Sequence, residues 1–412
     1  MADVLEDLRA AVDGQAGGAT RADTVAGMPA RWVTRPGTTA QTSAVMRAAA
    51  AHGLTVVPRG AGTKLAWGAA PEKVDVLLDT TRMDALVEHA AGDLICVVGA
   101  GRPLDTLASD LAGAGQRLGI DPARRGTVGG AVATAATGPN RLHHGSVRDL
   151  VIGMTLVRAD GVVAHAGGKV VKNVAGYDLG KLLTGSFGTL GVITEVAFRL
   201  HPAPEAQRWV SAPVDSADGI QQRVQAVAHS QVVPSALELD RSGGGATLSL
   251  LLEGTVPGVE GRTAQALALL GDSAGSSDEP PAWWGTEPPS EHGVLVKLTH
   301  EISGLSRLLE AVDGACAATG LSARLRGSAV VGTALVGLDG EATGERVARF
   351  VDHLRRRASS FGGSVVLLEA PESLKDGVDV WGPVSALGLM RSVKHQFDPE
   401  RRLAPGRFVG GI

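Results

Sequence analysis

A chain of 412 residues with a formal net charge of -4 and a pI near 6.3 has room for two or three domains and an ample core. It lacks the basic field that nucleic acid or an anionic membrane surface would demand, so small molecules or other proteins are the expected partners. Its two cysteines, Cys96 and Cys316, sit in apolar contexts as small buried hydrophobes do, and are too few to hold an iron–sulfur cluster.

Taken in chain order, the N-terminus carries acids and no apolar leader, and no stretch approaches the roughly 20 apolar residues of a spanning helix. That pattern predicts no transmembrane segment and a cytoplasmic protein, or one peripheral at the inner membrane through partners. Val4, Leu5, Leu8 and Val12 share one face of a first helix that ends in the Gly14 to Gly18 stretch. Arg31 to Val33 reads as a strand, and Thr38 or Thr39 caps a helix running to Ala51 with Gly53 as its stop. Leu54 to Val57, Val74 to Leu78 and Leu94 to Val98 read as buried strands, and Pro103 opens a helix through Leu111. Ala159-Asp160-Gly161 signals a hairpin between Val151 to Val157 and Val162 to His165. Tyr177 to Leu183 reads as a short helix and Val192 to Leu200 as a strand.

His201-Pro202-Ala203-Pro204 marks a boundary, because two prolines spaced by one residue stop both helix and strand. Beyond it, strands at Thr247 to Leu252, Val294 to Leu298, Val330 to Leu335 and Val365 to Leu368 alternate with helices at Arg262 to Leu270, Leu305 to Ala318 and Gly344 to Ser359. Gly271 to Ser290 reads as a mobile loop interrupted by Trp283-Trp284, and Ala386 to Phe397 opens a closing segment. The fold class is α+β.

Four tight, small-residue turns in the first half expose backbone N–H groups of the kind a pyrophosphate requires. The first is Pro58-Arg59-Gly60-Ala61-Gly62-Thr63-Lys64, where two glycines allow close approach and Thr63 and Lys64 add a hydroxyl and a charge. The second runs from Gly126 through Thr127, Val128, Gly129 and Gly130 to Ala133 and Thr134, a turn entering a helix whose first N–H groups suit an anion. The third is Gly145-Ser146-Val147-Arg148-Asp149, and the fourth runs from Gly185 to Thr194 through Gly191, Val192 and Ile193. Glycine supplies 56 of 412 residues, about twice its usual share, so single glycine pairs carry little weight and only the ordered set does. No Gly-x-Gly-x-x-Gly fingerprint follows the first strand and no Walker loop is present, which disfavours a Rossmann domain or an NTPase.

In this order, Arg-Gly-x-Gly-Thr, Gly-Thr-Val-Gly-Gly, Gly-Ser-Val-Arg-Asp and Gly-x-Leu-Gly-Val-Ile-Thr resemble the FAD domain of the vanillyl-alcohol oxidase and para-cresol methylhydroxylase (PCMH) type over Arg31 to Pro204. Gly138-Pro139-Asn140-Arg141 with Gly145 to Asp149, Lys172 to Asp178, and the tail Phe397-Asp398-Pro399 to Phe408 look more narrowly like the FAD-binding E subunit of bacterial glycolate oxidase. The resemblance implies a two-subdomain PCMH-type FAD-binding domain at 1–204, a smaller α+β cap or substrate domain at 205–370, and a segment at 371–412 that returns to the FAD domain. It implies FAD held by the residues quoted above together with Arg407. Thr63 stands where covalent members carry His, which implies a non-covalent flavin. Ala404 stands where relatives often carry Asn.

The resemblance further implies a 2-hydroxy-acid oxidoreductase working on a small 2-hydroxy acid or a partner flavin, with an iron–sulfur subunit and a second flavoprotein subunit. The metal-binding members carry Gly-Asp-Gly-Asn-x-His in the second domain, and this chain does not, so no metal is expected. Arg141 and His143, beside His144, and Lys172 and Tyr177 are the tentative catalytic group: arginine pairs with a carboxylate in a bidentate fork, and histidine has the pKa of a base. Two other readings stand beside this one, a self-sufficient FAD oxidase or dehydrogenase for another alcohol or hydroxy acid, and a non-catalytic flavin-fold assembly subunit.

Overall fold

The computed structural model describes residues 2–169, 177–242, 245–375 and 377–412. Contacts divide the chain into one unit made of Met1–Thr137, His144–Ala203 and Pro383–Ile412, and a second made of Gly138–His143 and Pro204–Gly382.

The first unit holds two sheets. In the smaller, strands run in the order Ala16–Gly18, Trp32–Thr34, Val76–Asp79, Val56–Arg59, and the last three are parallel. Helices Ala2–Ala11 and Thr39–Ala51 cover one face through Leu8, Val45 and Met46, all fully buried against Val56, Val76 and Leu78. Thr38 caps the second helix, its hydroxyl accepting from the Gln41 N–H, and Gly53 follows the helix end at φ +62°. The chain tail joins this sheet as well, since Leu403 forms a parallel bridge with Val56.

The larger sheet is antiparallel, ordered Val163–Gly167, Val151–Val157, Val192–Arg199, Ile95–Gly99, Leu86–Ala90. Its core, with Val98, Leu156, Val196 and Phe198 buried, is shared with Leu107, Val128, Val132 and Val147 of the short helices laid on it. The hairpin turns at Gly161, φ +83°, as the Ala-Asp-Gly signal predicts. Two readings need correcting. Pro103 precedes the helix Leu104–Ala112 as its cap residue rather than opening its first turn. His201–Pro202 does not stop extended structure but pairs antiparallel with Gln116–Arg117, a ladder short enough that the missing proline N–H is no loss.

The second unit is an eight-stranded antiparallel sheet ordered Gly275–Ser277, Ala206–Val214, Gly245–Gly254, Ala236–Ser242, Ser322–Ser328, Thr333–Asp339, Leu295–Thr299, Val365–Glu369. Helices Ala217–Ala228, Val256–Leu270, Leu305–Thr319 and Gly344–Arg357 pack on the elements whose Leu248, Leu250, Val296 and Val336 are buried. Four strands escaped the sequence reading. Two of them alternate apolar residues with charges that find partners only in three dimensions: Asp240 with Arg326 on the neighbouring strand, and Arg324 with Asp339 at 2.7 Å. The strand expected at Val330 begins instead at Thr333, because Gly332, at φ +74°, turns the chain between Ser322–Ser328 and Thr333–Asp339. The helix expected from Arg262 starts at Val256, Pro257 being tolerated in a first turn. The stretch expected to be a mobile loop contributes the strand Gly275–Ser277 and sets Trp284 edge-on against Trp209, centroids 6.3 Å apart. Among the described residues, no helix is long and apolar enough to cross a membrane, and no group of three or more His, Cys, Asp or Glu could hold a metal ion.

Candidate functional site

The strand Val56–Arg59 lies parallel to Val76–Asp79, and the chain must turn where it ends. Arg59 fixes that turn from below. Its guanidinium donates to Asp23 at 2.8 Å and to Asp79 at 2.8 Å, and its carbonyl accepts from the Thr80 N–H. Burial alone would raise the Asp23 carboxyl, but the Thr20 N–H and the Arg59 guanidinium more than offset it and hold the group at about 2. The charge of Arg59 is therefore spent on two carboxylates, and its part is to place the turn.

In that turn the backbone N–H groups of Gly60, Ala61, Gly62 and Thr63 have no acceptor among the described residues. Gly62 takes φ +78°, a left-handed conformation that costs other residues about 1–2 kcal/mol. Successive N–H groups curled in this way form a concave anion site, a nest.

The second glycine turn packs against the first with almost no clearance. A Cβ on Gly60 would lie 2.0 Å from the Thr127 hydroxyl, and one on Gly126 would lie 2.9 Å from the Thr63 hydroxyl, so each threonine fills the space opposite the other turn's glycine. The short helix Val128–Ala133 begins here, capped by Thr127. Its first N–H groups do not face an anion, contrary to the sequence reading. Val128 donates to the Arg102 carbonyl, Gly129 to Ala100, Gly130 to the Thr127 hydroxyl and Ala131 to the Thr127 carbonyl. Donors for an anion come from residues 60–63, and the second turn supplies a smooth wall of Gly129 and Gly130.

The fourth stretch closes the opposite side. Phe187 at φ +54° and Gly188 at φ +77° make a tight corner. The Phe187 ring stacks on Phe408 at 5.6 Å, and Gly188 sits against the Pro58 ring, where a Cβ would approach to 3.1 Å. From the tail, Arg407 enters buried and donates to the carbonyls of Leu65 at 3.0 Å and Lys64 at 3.3 Å. Burial pushes its guanidinium down to about 10, so a negatively charged or electronegative neighbour would be favoured there. The Lys64 ammonium donates to the Arg124 carbonyl at 2.7 Å and lies 5.6 Å from the centre of the Trp67 ring.

These walls enclose a cleft of about 740 Å³, counting its open mouth, within the usual range of a ligand pocket. Of the residues proposed from sequence, Pro58, Arg59, Gly60, Ala61, Gly62, Thr63 and Lys64 line it. So do Thr127, Gly129, Gly130, Ala133, Gly191, Ile193 and Arg407. Val128 and Val192 are wholly buried in the adjoining core instead. Gly145, Ser146 and Asp149 lie off the lining, where the Asp149 carboxylate accepts from the Ser146 N–H at 2.8 Å and hydroxyl at 2.7 Å and caps the helix Val147–Leu150.

The tentative catalytic residues stand elsewhere. Arg141 and His143 belong to the segment Gly138–His143 that groups with the second unit, and there Lys297 is pushed down by burial and by the charge of Arg141. Tyr177 is 94% exposed, and Lys172 lies outside the described residues, as does Asn173 to Gly176 of the same motif. Thr134, Phe187 and Gly188, which belong to the second and fourth stretches, line the cleft too, and Leu65 and Thr80 line it without having been singled out. Thr80 reaches it only because its strand is the parallel neighbour of Val56–Arg59, which no local pattern announces.

Residues 30–167 match a family model described as FAD binding domain. Most of the residues that line the cleft fall within that stretch, and FAD is the cofactor the match supports. The lining residues fit the cofactor on structural grounds: a run of four backbone donors awaiting acceptors, glycines at positions where a Cβ would collide, and a buried guanidinium on the far wall. The domain is similar to glycolate oxidase subunit GlcD of Bacillus subtilis (strain 168), 32% identical over 212 residues, 50% of this chain and 44% of that protein. D-lactate dehydrogenase of Archaeoglobus fulgidus is 36% identical over 209 residues, 50% of this chain and 46% of that protein. Glycolate oxidase subunit GlcE of Escherichia coli (strain K12) is 41% identical over 132 residues, 31% of this chain and 38% of that protein. The matched stretch thus spans less than half the length of each relative, and the D and E subunits are both matched, so the narrower resemblance to the E subunit does not separate the two. Alkyldihydroxyacetonephosphate synthase shares the fold, with a TM-score of 0.74 at 16% identity over 98% of this chain and 84% of that one. The α+β fold of the PCMH type holds.

Proposed function

We propose that the chain is an FAD-dependent oxidoreductase and serves as the FAD-carrying component of a glycolate oxidase-like 2-hydroxy-acid dehydrogenase, together with an iron–sulfur subunit and a second flavoprotein subunit. The observation that carries the reading is the nest at residues 60–63, set in a domain whose relatives bear the names of glycolate oxidase subunits and a D-lactate dehydrogenase. When bound, FAD supplies the redox chemistry that the side chains cannot.

The protein's part is to hold and orient. The N–H groups of Gly60, Ala61, Gly62 and Thr63 take the pyrophosphate, Gly129 and Gly130 let the ligand approach the backbone, and Arg407 with Ile193 and Gly191 flanks the ring system. Thr63 leaves the flavin non-covalent. Acid precipitation should therefore release all the flavin into the supernatant, and flavin remaining with the pellet would reject a non-covalent site. In the second unit, Arg141 beside Lys297 offers two cations whose mutual repulsion a substrate carboxylate would relieve. His143 is the proposed base, and Tyr177 is the third residue of the proposed catalytic set.

Cys96 and Cys316 are held as neutral thiols, burial pushing them up to about 12 and about 11, so onward electron transfer is assigned to a cysteine-rich partner. The chain alone should reduce a dye with glycolate or lactate far more slowly than the common enzyme range of about 1–10³ per second, and faster once the partner subunits are added. Steady-state dye reduction against a panel of 2-hydroxy acids and polyols checks this, with Lys297→Met expected to raise KM in the assembled enzyme. Full turnover by the chain alone would promote a self-sufficient oxidase or dehydrogenase, and a purified protein without flavin absorbance would promote the non-catalytic assembly subunit.

A further inference from the structure

We propose that Lys394 is a positioning residue for FAD, a buried ammonium that keeps three walls of the cleft in one register without touching the cleft itself. The proposal rests on FAD occupying the cleft described above. Lys394 lies on the helix Leu387–Phe397 and is its only buried residue, 4% exposed. Its ammonium donates to the Thr189 carbonyl at 2.8 Å, to the Leu403 carbonyl at 2.8 Å and to the Asp398 carboxylate at 2.7 Å. An ammonium has three hydrogens, and each has its acceptor. Asp398, itself wholly buried, accepts in addition from the Arg402 N–H at 2.8 Å and the Leu403 N–H at 2.7 Å.

Each acceptor sits on a segment that reaches the cleft. Thr189 follows Phe187 and Gly188 and precedes Gly191, all three lining residues. Leu403 lies four residues before Arg407, and its neighbours lock to the strand that feeds the nest: the Val56 N–H donates to the Arg402 carbonyl, and the Ala404 N–H donates to the Val56 carbonyl. One cation thus ties the Phe187 corner, the arginine-bearing tail and the root of the turn at residues 60–63. An apolar side chain of the same volume would fill the space equally well and hold the helix, but it could not specify which carbonyls face it. Replacing a buried ion pair by apolar groups is often neutral for stability, while directional groups of this kind fix register.

The test separates positioning from mere stability. Lys394→Met alone strands a buried carboxylate and is expected to fold poorly, so the informative variant is Lys394→Met/Asp398→Asn, which removes both charges and keeps an acceptor oxygen for one of the two N–H groups of Arg402 and Leu403. Reconstitution of the full-length apoprotein with FAD, followed by flavin fluorescence, should show Kd rising at least tenfold in that variant while the apoprotein Tm stays within a few degrees of wild type. A Kd equal to wild type, whatever the Tm, overturns the proposal. In the wild-type protein, hydrogen exchange of a peptide covering residues 399–404 should slow on adding FAD even though residues 399–404 do not line the cleft. Unchanged exchange there overturns the proposal too, and it decides the matter if the double variant does not fold. Failure of the wild-type apoprotein to bind FAD would instead overturn the cofactor site on which the proposal rests.

Discussion

Gly60→Val should abolish FAD retention, raising Kd by at least 100-fold while the protein still folds. The reason is local and geometric: the added Cβ would start 2.0 Å from the hydroxyl of Thr127, a residue only 3% exposed and tied into a helix cap. The collision cannot be relieved by a swinging surface side chain. Either Thr127 is pushed out of its cap, at about 1 kcal/mol, or the turn at residues 60–63 moves away, with an overpacking cost of about 1–3 kcal/mol. The first shifts the wall of Gly129 and Gly130 against the ligand, and the second displaces backbone donors from the pyrophosphate. Gly62→Val should act by a different route, since its Cβ would meet nothing nearer than 3.6 Å but its φ of +78° is hostile to a β-branched residue. Gly130→Val meets the Thr127 hydroxyl at 3.2 Å and should be the mildest of the three. The decisive comparison is Gly60→Ala against Gly60→Ala/Thr127→Gly. Removing the threonine side chain costs an N-cap only a few tenths of a kcal/mol in exchange for glycine, so the pair should recover much of the affinity that Gly60→Ala loses. Flavin absorbance per protein after gel filtration measures all of these, and full occupancy in Gly60→Val would mean that the phosphates bind elsewhere.

Much of the cleft was legible in the sequence because its parts are short-range. A strand that ends in Arg-Gly-Ala-Gly-Thr must turn tightly, and a turn with two glycines must bare its backbone, wherever the rest of the chain goes. The same holds for the hairpin at Ala159-Asp160-Gly161 and for the helix that Thr38 caps. What could not be read was the allocation of donors and charges, which is settled by neighbours distant in sequence. The N–H groups at Val128 and Gly129 look available in the motif, yet the carbonyls of Arg102 and Ala100 take them. Arg59 looks like a phosphate ligand, yet Asp23 and Asp79 take it. Gly145 to Asp149 looks like a third phosphate turn, yet Asp149 spends its carboxylate on Ser146.

The second unit was harder for a related reason. Strands such as Ala236–Ser242, with Glu238, Asp240 and Arg241 among its seven residues, give no strand signal until the opposing charges on Arg326 and Asp313 are supplied by other elements. Lys394 illustrates the limit most sharply. In sequence it is one more cation near the end of an amphipathic helix, and only the three carbonyl and carboxylate oxygens around it show that the charge points inward.

Arg59→Met should cost about 3–5 kcal/mol of stability at pH 7, the usual price of leaving a buried charge without its partner, because it deserts two carboxylates at once. The side chains of Asp23 and Asp79 are 12% and 10% exposed, too enclosed for water to replace the guanidinium fully. The pH dependence should identify the cause. In the wild-type protein the Asp23 carboxyl lies at about 2 against an ordinary 3.8, so it stabilises the fold by about 2 kcal/mol at neutral pH. That contribution is fully present above the unfolded value and is lost as pH falls from about 4 towards 2. In the variant the guanidinium's share of that lowering is gone and only the Thr20 N–H and hydroxyl still oppose burial, so the Asp23 carboxyl rises toward its ordinary value and the variant has less of this stability to lose on acidification. The stability difference between wild type and variant, measured by urea unfolding at pH 7, 4 and 2.5, should therefore hold from pH 7 to about 4 and shrink below that. A difference that stays constant across that range would mean that Arg59 supports the turn by packing alone, and that its two ion pairs contribute nothing to the placement of the nest.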